Sequence, residues 1–194
     1  MNLISRFISS PLSRWLQHPR PTKDIPLSDF DRICHELKPG DVLLVEGRSR
    51  ISNVIKVVTQ SPWSHAALYI GRLHDIESEV DRASITRRSA FPPSTQLIVE
   101  SQLGAGTLAR ALTDYADDHL RICRPVGLST EDAQTISSHA ITSLGLDYDV
   151  RQIFDLARFL FPWGVLPRRW RSSLFRSRAG SETRTVCSTM IAEA

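Results

Sequence analysis

The sequence predicts an α+β domain, and three observations carry that expectation. Short apolar runs that read as strands lie close together in pairs, as hairpin neighbours do. Helix-period segments stand between and after them rather than alternating strictly with strands. At 194 residues, the chain is long enough for one real core and is most simply one domain. The expected architecture is a small antiparallel sheet with helices packed to one side.

The elements follow in order. Residues 1–19 hold Leu3, Ile4, Phe7, Ile8, Leu12, Trp15 and Leu16, a loose helical apolar stripe broken by Pro11. Pro19-Arg20-Pro21 to Pro26 reads as a linker. Residues 1–36 are therefore read as an N-terminal amphipathic segment and linker, and 37–194 as the domain. Residues 41–45 predict a strand. Arg48 to Gln60 predicts a helix, with Ile51, Val54, Ile55 and Val58 at i, i+3, i+4 and i+7. Ser61-Pro62 ends it and delivers the chain to a strand over 65–70. Residues 72–95, charged and holding Pro92-Pro93, read as a long excursion. A strand follows over 96–100, a short helix over Thr107 to Tyr115, and a strand over 120–124 that Pro125 ends.

Ser129 caps a helix running to Leu144, with Asp132 three residues on to complete a capping box and Gly145 as the stop. Asp149 to Phe161 predicts another helix, ended by Pro162. Residues 162–184 read as a basic, aromatic loop or short helix, and a last helix starts near Cys187.

Composition excludes several classes. An apolar share of 41% and a charged share of 23% are ordinary for a globular chain. Three cysteines without a Cys-x-x-Cys pair argue against a disulfide scaffold or zinc ribbon. Cys34 and Cys123 read as buried small hydrophobes. Ligand-type residues lack the tight spacing of a metal site, so neither metal nor cofactor is expected. No apolar run reaches the roughly 18 residues of a membrane span, and the N-terminal stripe lacks the continuous core of a secretory signal. The location expected is cytoplasmic, with peripheral membrane contact open.

Positive charge concentrates in two stretches. Residues 1–23 contain arginines, one lysine and no acid, and 159–178 is basic and aromatic. These two segments are the candidates for an anionic membrane surface. The apolar Phe159-Leu160-Phe161-Pro162-Trp163 run is not an interleaved stacking platform, so nucleic acid is not expected as a partner. Simple packing against the domain is the rival reading of both.

The chemistry-bearing residues are His65, Glu100 and Cys187. His65 opens the apolar run Ala66-Ala67-Leu68-Tyr69-Ile70 after a polar turn. Glu100 closes Gln96-Leu97-Ile98-Val99. Cys187 stands where Thr185-Val186 turns into a helix. A helix start favours thiolate over thiol. An imidazole can take the thiol proton, and a carboxylate can fix its tautomer and orientation. Each of the three alone is more often a structural residue; the set in this order is what points to a cysteine nucleophile. Tyr69 and Tyr148 read as packing residues, Asp147 and Asp149 as partners for arginines, and His18, His35, His119 and His139 as surface or cap positions.

Three stretches carry a family resemblance. Leu37-Lys38-Pro39-Gly40-Asp41-Val42-Leu43-Leu44, Ser64-His65 with Tyr69-Ile70-Gly71, and Val186-Cys187-Ser188 resemble, in this order, the opening strand, the histidine strand and the nucleophile segment of one family. This is the circularly permuted branch of the NlpC-type papain-like cysteine hydrolases, close to the YiiX-like group. The likeness spans roughly residues 37–194, and the lecithin retinol acyltransferase-like proteins are more distant cousins. The resemblance implies a permuted papain-like fold, a half barrel facing the cysteine helix, and a bacterial protein. It implies a thiol hydrolase acting on a peptide, cell-wall or lipid acyl substrate, with Cys187, His65 and Glu100 as its triad. His74 is the rival orienting residue, because the acyltransferase cousins use a second histidine soon after the first. A lipid-directed acyltransferase or a non-catalytic membrane-associated module on the same fold are the alternatives. Only residues 188–194 follow Cys187, so either the nucleophile helix is short or the chain is a fragment.

Overall fold

A computed structural model describes residues 27–102, 105–148 and 184–185. Helix α1 (Phe30–Glu36) begins on Asp29, whose carboxylate accepts the Arg32 N–H as an N-cap. Strand β1 (Val42–Glu46) follows, then helix α2 (Arg50–Thr59), capped by Ser49. Strand β2 (His65–Arg72) runs into a 3₁₀ turn at Leu73–Asp75 and helix α3 (Glu79–Thr86). Strands β3 (Gln96–Gln102) and β4 (Gly106–Ala111), a 3₁₀ turn at Leu112–Tyr115 and strand β5 (His119–Cys123) come next. Helix α4 (Thr130–Thr142) starts on the capping box of Ser129 and Asp132 that the sequence predicts.

The five main strands form one sheet in the order β4-β3-β2-β1-β5, each neighbour antiparallel. Two further short strands, β6 (Asp147–Tyr148) and β7 (Arg184–Thr185), pair in parallel. They lie next to β4: Thr107 donates its N–H to the Leu146 carbonyl and accepts from Gly145 at 2.9 and 2.8 Å. The fold is the α+β arrangement expected.

Both faces of the sheet are covered, which differs from the one-sided packing expected. On one face Leu68, Ile70, Leu97 and Val99 pack with Ile85 of α3 and with Ala140, Ile141 and Leu144 at the end of α4. On the other, Leu43, Val45, Ala67, Tyr69, Ile98 and Leu120 pack with Ile33 and Leu37 of the α1 region and with Leu112 and Tyr115. The physical reason is visible in β2 and β3. Their apolar residues run consecutively, so both faces of each strand need covering. Residues 30–36 precede the domain start expected at 37, yet Ile33 is in this core.

Two segments take other conformations than the sequence suggests. Thr107 to Tyr115 is not a helix but strand β4 and a 3₁₀ turn. Its Leu, Ala and Arg favour a helix locally, and six residue pairings with β3 override that preference. The excursion 72–95 contains α3, whose N-cap Ser78 accepts from Asp81 N–H and whose Ile85 has no exposure. Cys34 and Cys123 are half-buried rather than core residues. Helix α2 is where the period predicts it, with Ile51, Val54 and Ile55 half-buried.

Two details fix the ends of β1 and β2. Asp41 is buried and accepts two hydrogen bonds from the Arg124 guanidinium, at 2.8 and 2.7 Å, and one from Lys38 N–H. This ties the Pro39-Gly40 turn to the end of β5. A bulge in β2 lies between Tyr69 and Gly71, and Gly71 takes φ +95°, a backbone region that a side chain would strain.

If the excursion is part of the core, Ile85→Ala should lower folding stability by about 2–5 kcal/mol, the range for truncating a buried Ile. Val80→Ala, on the exposed side of the same helix, should change it by less than about 0.5 kcal/mol. Urea denaturation of the two variants checks this. Equal, small losses would mean that α3 does not anchor the sheet.

Candidate active site

The turn that delivers His65 is built by close packing. Gly47 follows β1, and a Cβ there would lie 2.4 Å from Ser52 Oγ and 2.8 Å from Ser64 Oγ. With only a hydrogen at that point, Gly47 N–H reaches Ser64 Oγ at 3.0 Å and Ser64 N–H reaches the Val45 carbonyl at 3.1 Å. His65 therefore enters β2 directly opposite Val45. Just before it, the Trp63 ring stacks on His119, centroids 5.3 Å apart. His119 is thus a packed residue and not the plain surface position expected, and its buried Nδ1 has no hydrogen-bond partner among the described residues. Arg48 pairs with Asp118 at 2.9 Å beside it.

Register explains why His65 and Glu100 meet. Leu68 pairs with Val99, so continuing the antiparallel ladder sets Ala67 opposite Glu100. Side chains alternate along a strand, so His65 and Glu100 share the face of Ala67 and Ile98 and are diagonal neighbours. His65 Nε2 hydrogen-bonds Glu100 Oε2. Glu100 has no solvent exposure, while the His65 side chain keeps 22% of its surface open.

Two further residues complete the surroundings of Glu100. The Tyr115 hydroxyl donates to the same Oε2. Arg110, opposite Ile98 in β4, reaches Oε1 at 3.5 Å. The guanidinium lies over the Tyr115 ring, 5.4 Å from its centroid, and is anchored by Asp114 at 2.9 Å. Sequence reasoning missed both residues because it reads 107–115 as helix. The signal was available: Gly104-Ala105-Gly106 between two apolar runs is a hairpin pattern, and a strand after it sets Arg110 on the Glu100 face.

Electrostatics follow from this geometry. Burial alone would push the Glu100 carboxyl up. The His65 hydrogen bond and charge, the Tyr115 hydroxyl and the Arg110 charge outweigh it and hold the group below the usual carboxylate range. Burial, and then the adjacent Glu100 charge, push the Tyr115 hydroxyl far up, so it stays a donor at any ordinary pH. An ionised carboxylate can only accept, so Nε2 of His65 carries the proton it shares with Glu100.

His74 sits two residues past the opposite end of β2. Its ring contacts the Pro93 carbonyl at 2.7 Å and Asp75 at 3.0 Å, and it is half exposed. The structure thus brings Glu100, and not His74, to His65. Tyr69 is buried and bonded to Gln96, a packing residue as expected. Cys34 has its thiol pushed up by burial and then by Asp31, which favours the unreactive form. Cys187, the helix expected there, the segments 1–23 and 159–178, His18 and Asp149 lie outside the described residues. Thr185, two residues before Cys187, pairs with Tyr148 at the β4 side of the sheet. Among the described residues no cluster of His, Cys, Asp and Glu could hold a metal ion, and no helix is long and apolar enough to cross a membrane.

The depressed Glu100 carboxyl has a consequence for acid stability. A group whose folded pKa lies below its unfolded value stabilises the fold above the unfolded value, about 4.3 for Glu. That contribution is lost as pH falls through the folded value. Wild-type stability should therefore drop below the ordinary Glu range, and Glu100→Gln should flatten that acid limb while lowering stability at neutral pH. Urea midpoints measured down the acid range test this; identical pH dependence in both proteins would mean that folding does not lower the Glu100 carboxyl.

No curated protein matches the chain. A family model described as permuted papain-like amidase enzyme, YaeF/YiiX, C92 family, matches residues 36–158, a stretch that includes His65, Glu100, Arg110 and Tyr115 and stops short of Cys187. With its α+β fold and most of its length matched, the chain belongs to the permuted papain-like amidases of the YaeF/YiiX kind.

Proposed function

We propose that the protein is a cysteine amidase that cleaves a peptide-like amide through a thioester on Cys187. The observation that carries this reading is the hydrogen bond from a partly exposed histidine to a fully buried, ionised carboxylate. Such a pair holds an imidazole in one tautomer and stabilises it when it becomes charged. A plain structural histidine does not require an ionised partner with no access to water. The thiol nucleophile is assigned from the sequence. Cys34 is disfavoured by its raised thiol, and Cys187 follows two residues after β7, which pairs with β6 next to β4.

The chemistry proceeds as in other thiol acyl transfers. With Nε2–H given to Glu100, Nδ1 is the ring nitrogen that takes the proton from the Cys187 thiol. The thiolate attacks the amide carbonyl carbon and a C–S bond forms. A backbone N–H at the start of the cysteine segment stabilises the oxyanion. The imidazolium gives its proton to the amine as the C–N bond breaks. Water then attacks the thioester, His65 accepts its proton, and the thiol and a carboxylic acid are released. Glu100 remains ionised throughout, as the counter-charge of the imidazolium.

Cys187→Ala should abolish turnover of a peptide-like amide while Cys34→Ala retains it. Retained turnover in Cys187→Ala would end this reading. Alkylation of Cys187 by a small electrophile, followed against pH, tests the partners. His65→Ala should remove the reactive thiolate at neutral pH. Glu100→Gln should slow the reaction by about one to two orders of magnitude, and His74→Ala should leave the profile in place. A profile moved by His74→Ala and not by Glu100→Gln would transfer the orienting role to His74.

A further inference from the structure

The carboxylate that faces His65 has a second donor that neither the residue pattern nor the family likeness assigns. Glu100 Oε2 accepts both the His65 Nε2–H and the Tyr115 hydroxyl. Oε1 faces Arg110 at 3.5 Å, longer than a good hydrogen bond. Tyr115 is therefore the one neutral hydroxyl donor among the described contacts of this carboxylate. We propose that Tyr115, held under the Arg110 guanidinium, is a positioning residue that keeps Glu100 ionised and in the rotamer that serves His65. This rests on the reading of His65 and Glu100 as catalytic partners.

A buried charge depends on every donor it has. Glu100 has no solvent contact, so water cannot substitute for a lost donor, and a buried carboxylate without donors takes up a proton. The charged and titratable groups around it come from three elements: His65 from β2, Arg110 from β4, and Tyr115 from the turn after β4. Asp114, on that same turn, meets Arg110 at 2.9 Å. This fixes the guanidinium over the Tyr115 ring and draws it partly away from Glu100. Tyr115 is also tied to the core: it packs with Leu112, Ala67 and Ile98, so its hydroxyl has little freedom to turn elsewhere. Its high pKa, from burial and the Glu100 charge, keeps it a donor.

A purely structural tyrosine would have a different signature. Its loss would lower stability without moving any titration at Glu100. The test is Tyr115→Phe, which keeps the ring and its packing. The Glu100 carboxyl, followed by carbon NMR in the full chain, should titrate at higher pH in Tyr115→Phe than in wild type. The pH midpoint of Cys187 alkylation should rise as well, with the rate at neutral pH about tenfold lower. In a Glu100→Gln background Tyr115→Phe should add little, because no charge is left to hold; two residues that act through one group are not additive. Arg110→Gln, whose side chain is partly exposed, should move the Glu100 titration in the same direction and less. An unmoved Glu100 titration in Tyr115→Phe would overturn the inference, as would an equal effect with Gln at position 100. A Cys187 that shows no His65-dependent reactivity in wild type would overturn the amidase reading, and the Glu100 titration would still decide the role of Tyr115.

Discussion

A carboxylate removed from water must be neutralised by what surrounds it, and Glu100 imposes that demand near one end of the sheet. The desolvation penalty for a buried ion is several kcal/mol. It is met only when the donors have good geometry. Here the donors come from three different places in the chain, residues 65, 110 and 115. Each has to be delivered to within a few ångströms of one side chain. The ladder β4-β3-β2 and the 3₁₀ turn after β4 do this: the strands carry His65, Glu100 and Arg110 to one face, and the turn adds Tyr115. The register of the central strands is therefore tied to the charge: a slip of one residue would turn Glu100 toward the α3 and α4 face. That face is lined by Leu68, Ile70, Leu97 and Val99, away from His65, Arg110 and Tyr115.

The covering of both faces serves the same end. On the Glu100 face, Ile33, Leu37, Leu112 and Tyr115 exclude water from the sheet. His65 lies at the rim of that cover and keeps part of its surface open. A pair with one dry member and one accessible member suits an acid–base residue. The carboxylate stays charged in a low-dielectric setting where its field is strong, and the imidazole can still meet a second group. The tight turn around Gly47 and Ser64 holds the histidine at that boundary, since it fixes where β2 begins.

The parts of this arrangement that sequence reveals are those with local signals. The helix over Arg50–Thr59 follows from its 3.6-residue period, α4 from its Ser129 and Asp132 box, and β1 to β3 from their apolar runs. The pairing of His65 with Glu100 could be expected because both stand at the ends of adjacent apolar strands. What stays hidden depends on contacts distant in sequence. Strand β4 has helix-forming residues and becomes a strand only by pairing with β3. With it goes the assignment of Arg110 and Tyr115, since a helix over 107–115 sends those side chains elsewhere. Helix α3 is hidden for a different reason. It is short and lies in a charged stretch, and only Ile85 and the Ser78 cap mark it. The stacked position of His119 is likewise invisible, because Trp63 is far from it in the chain.

Permutation gives this site a particular order of assembly. The proposed base, its carboxylate and the two residues that hold the carboxylate all lie within residues 65–115. They are brought together by antiparallel neighbours in one sheet. The proposed nucleophile comes last, after a long intervening stretch, and the described link back to the sheet is the short parallel pairing of Arg184–Thr185 with Asp147–Tyr148. Parallel pairing needs a long crossover, so closing it costs more chain entropy than a hairpin does. The sheet half can therefore be complete, with Glu100 ionised and His65 oriented, before the cysteine segment arrives. In such a design, the energetic cost of burying a charge is met by the sheet's own residues. The thiol then needs only to reach an imidazole that is already held in place, which is the condition under which proximity contributes most to rate.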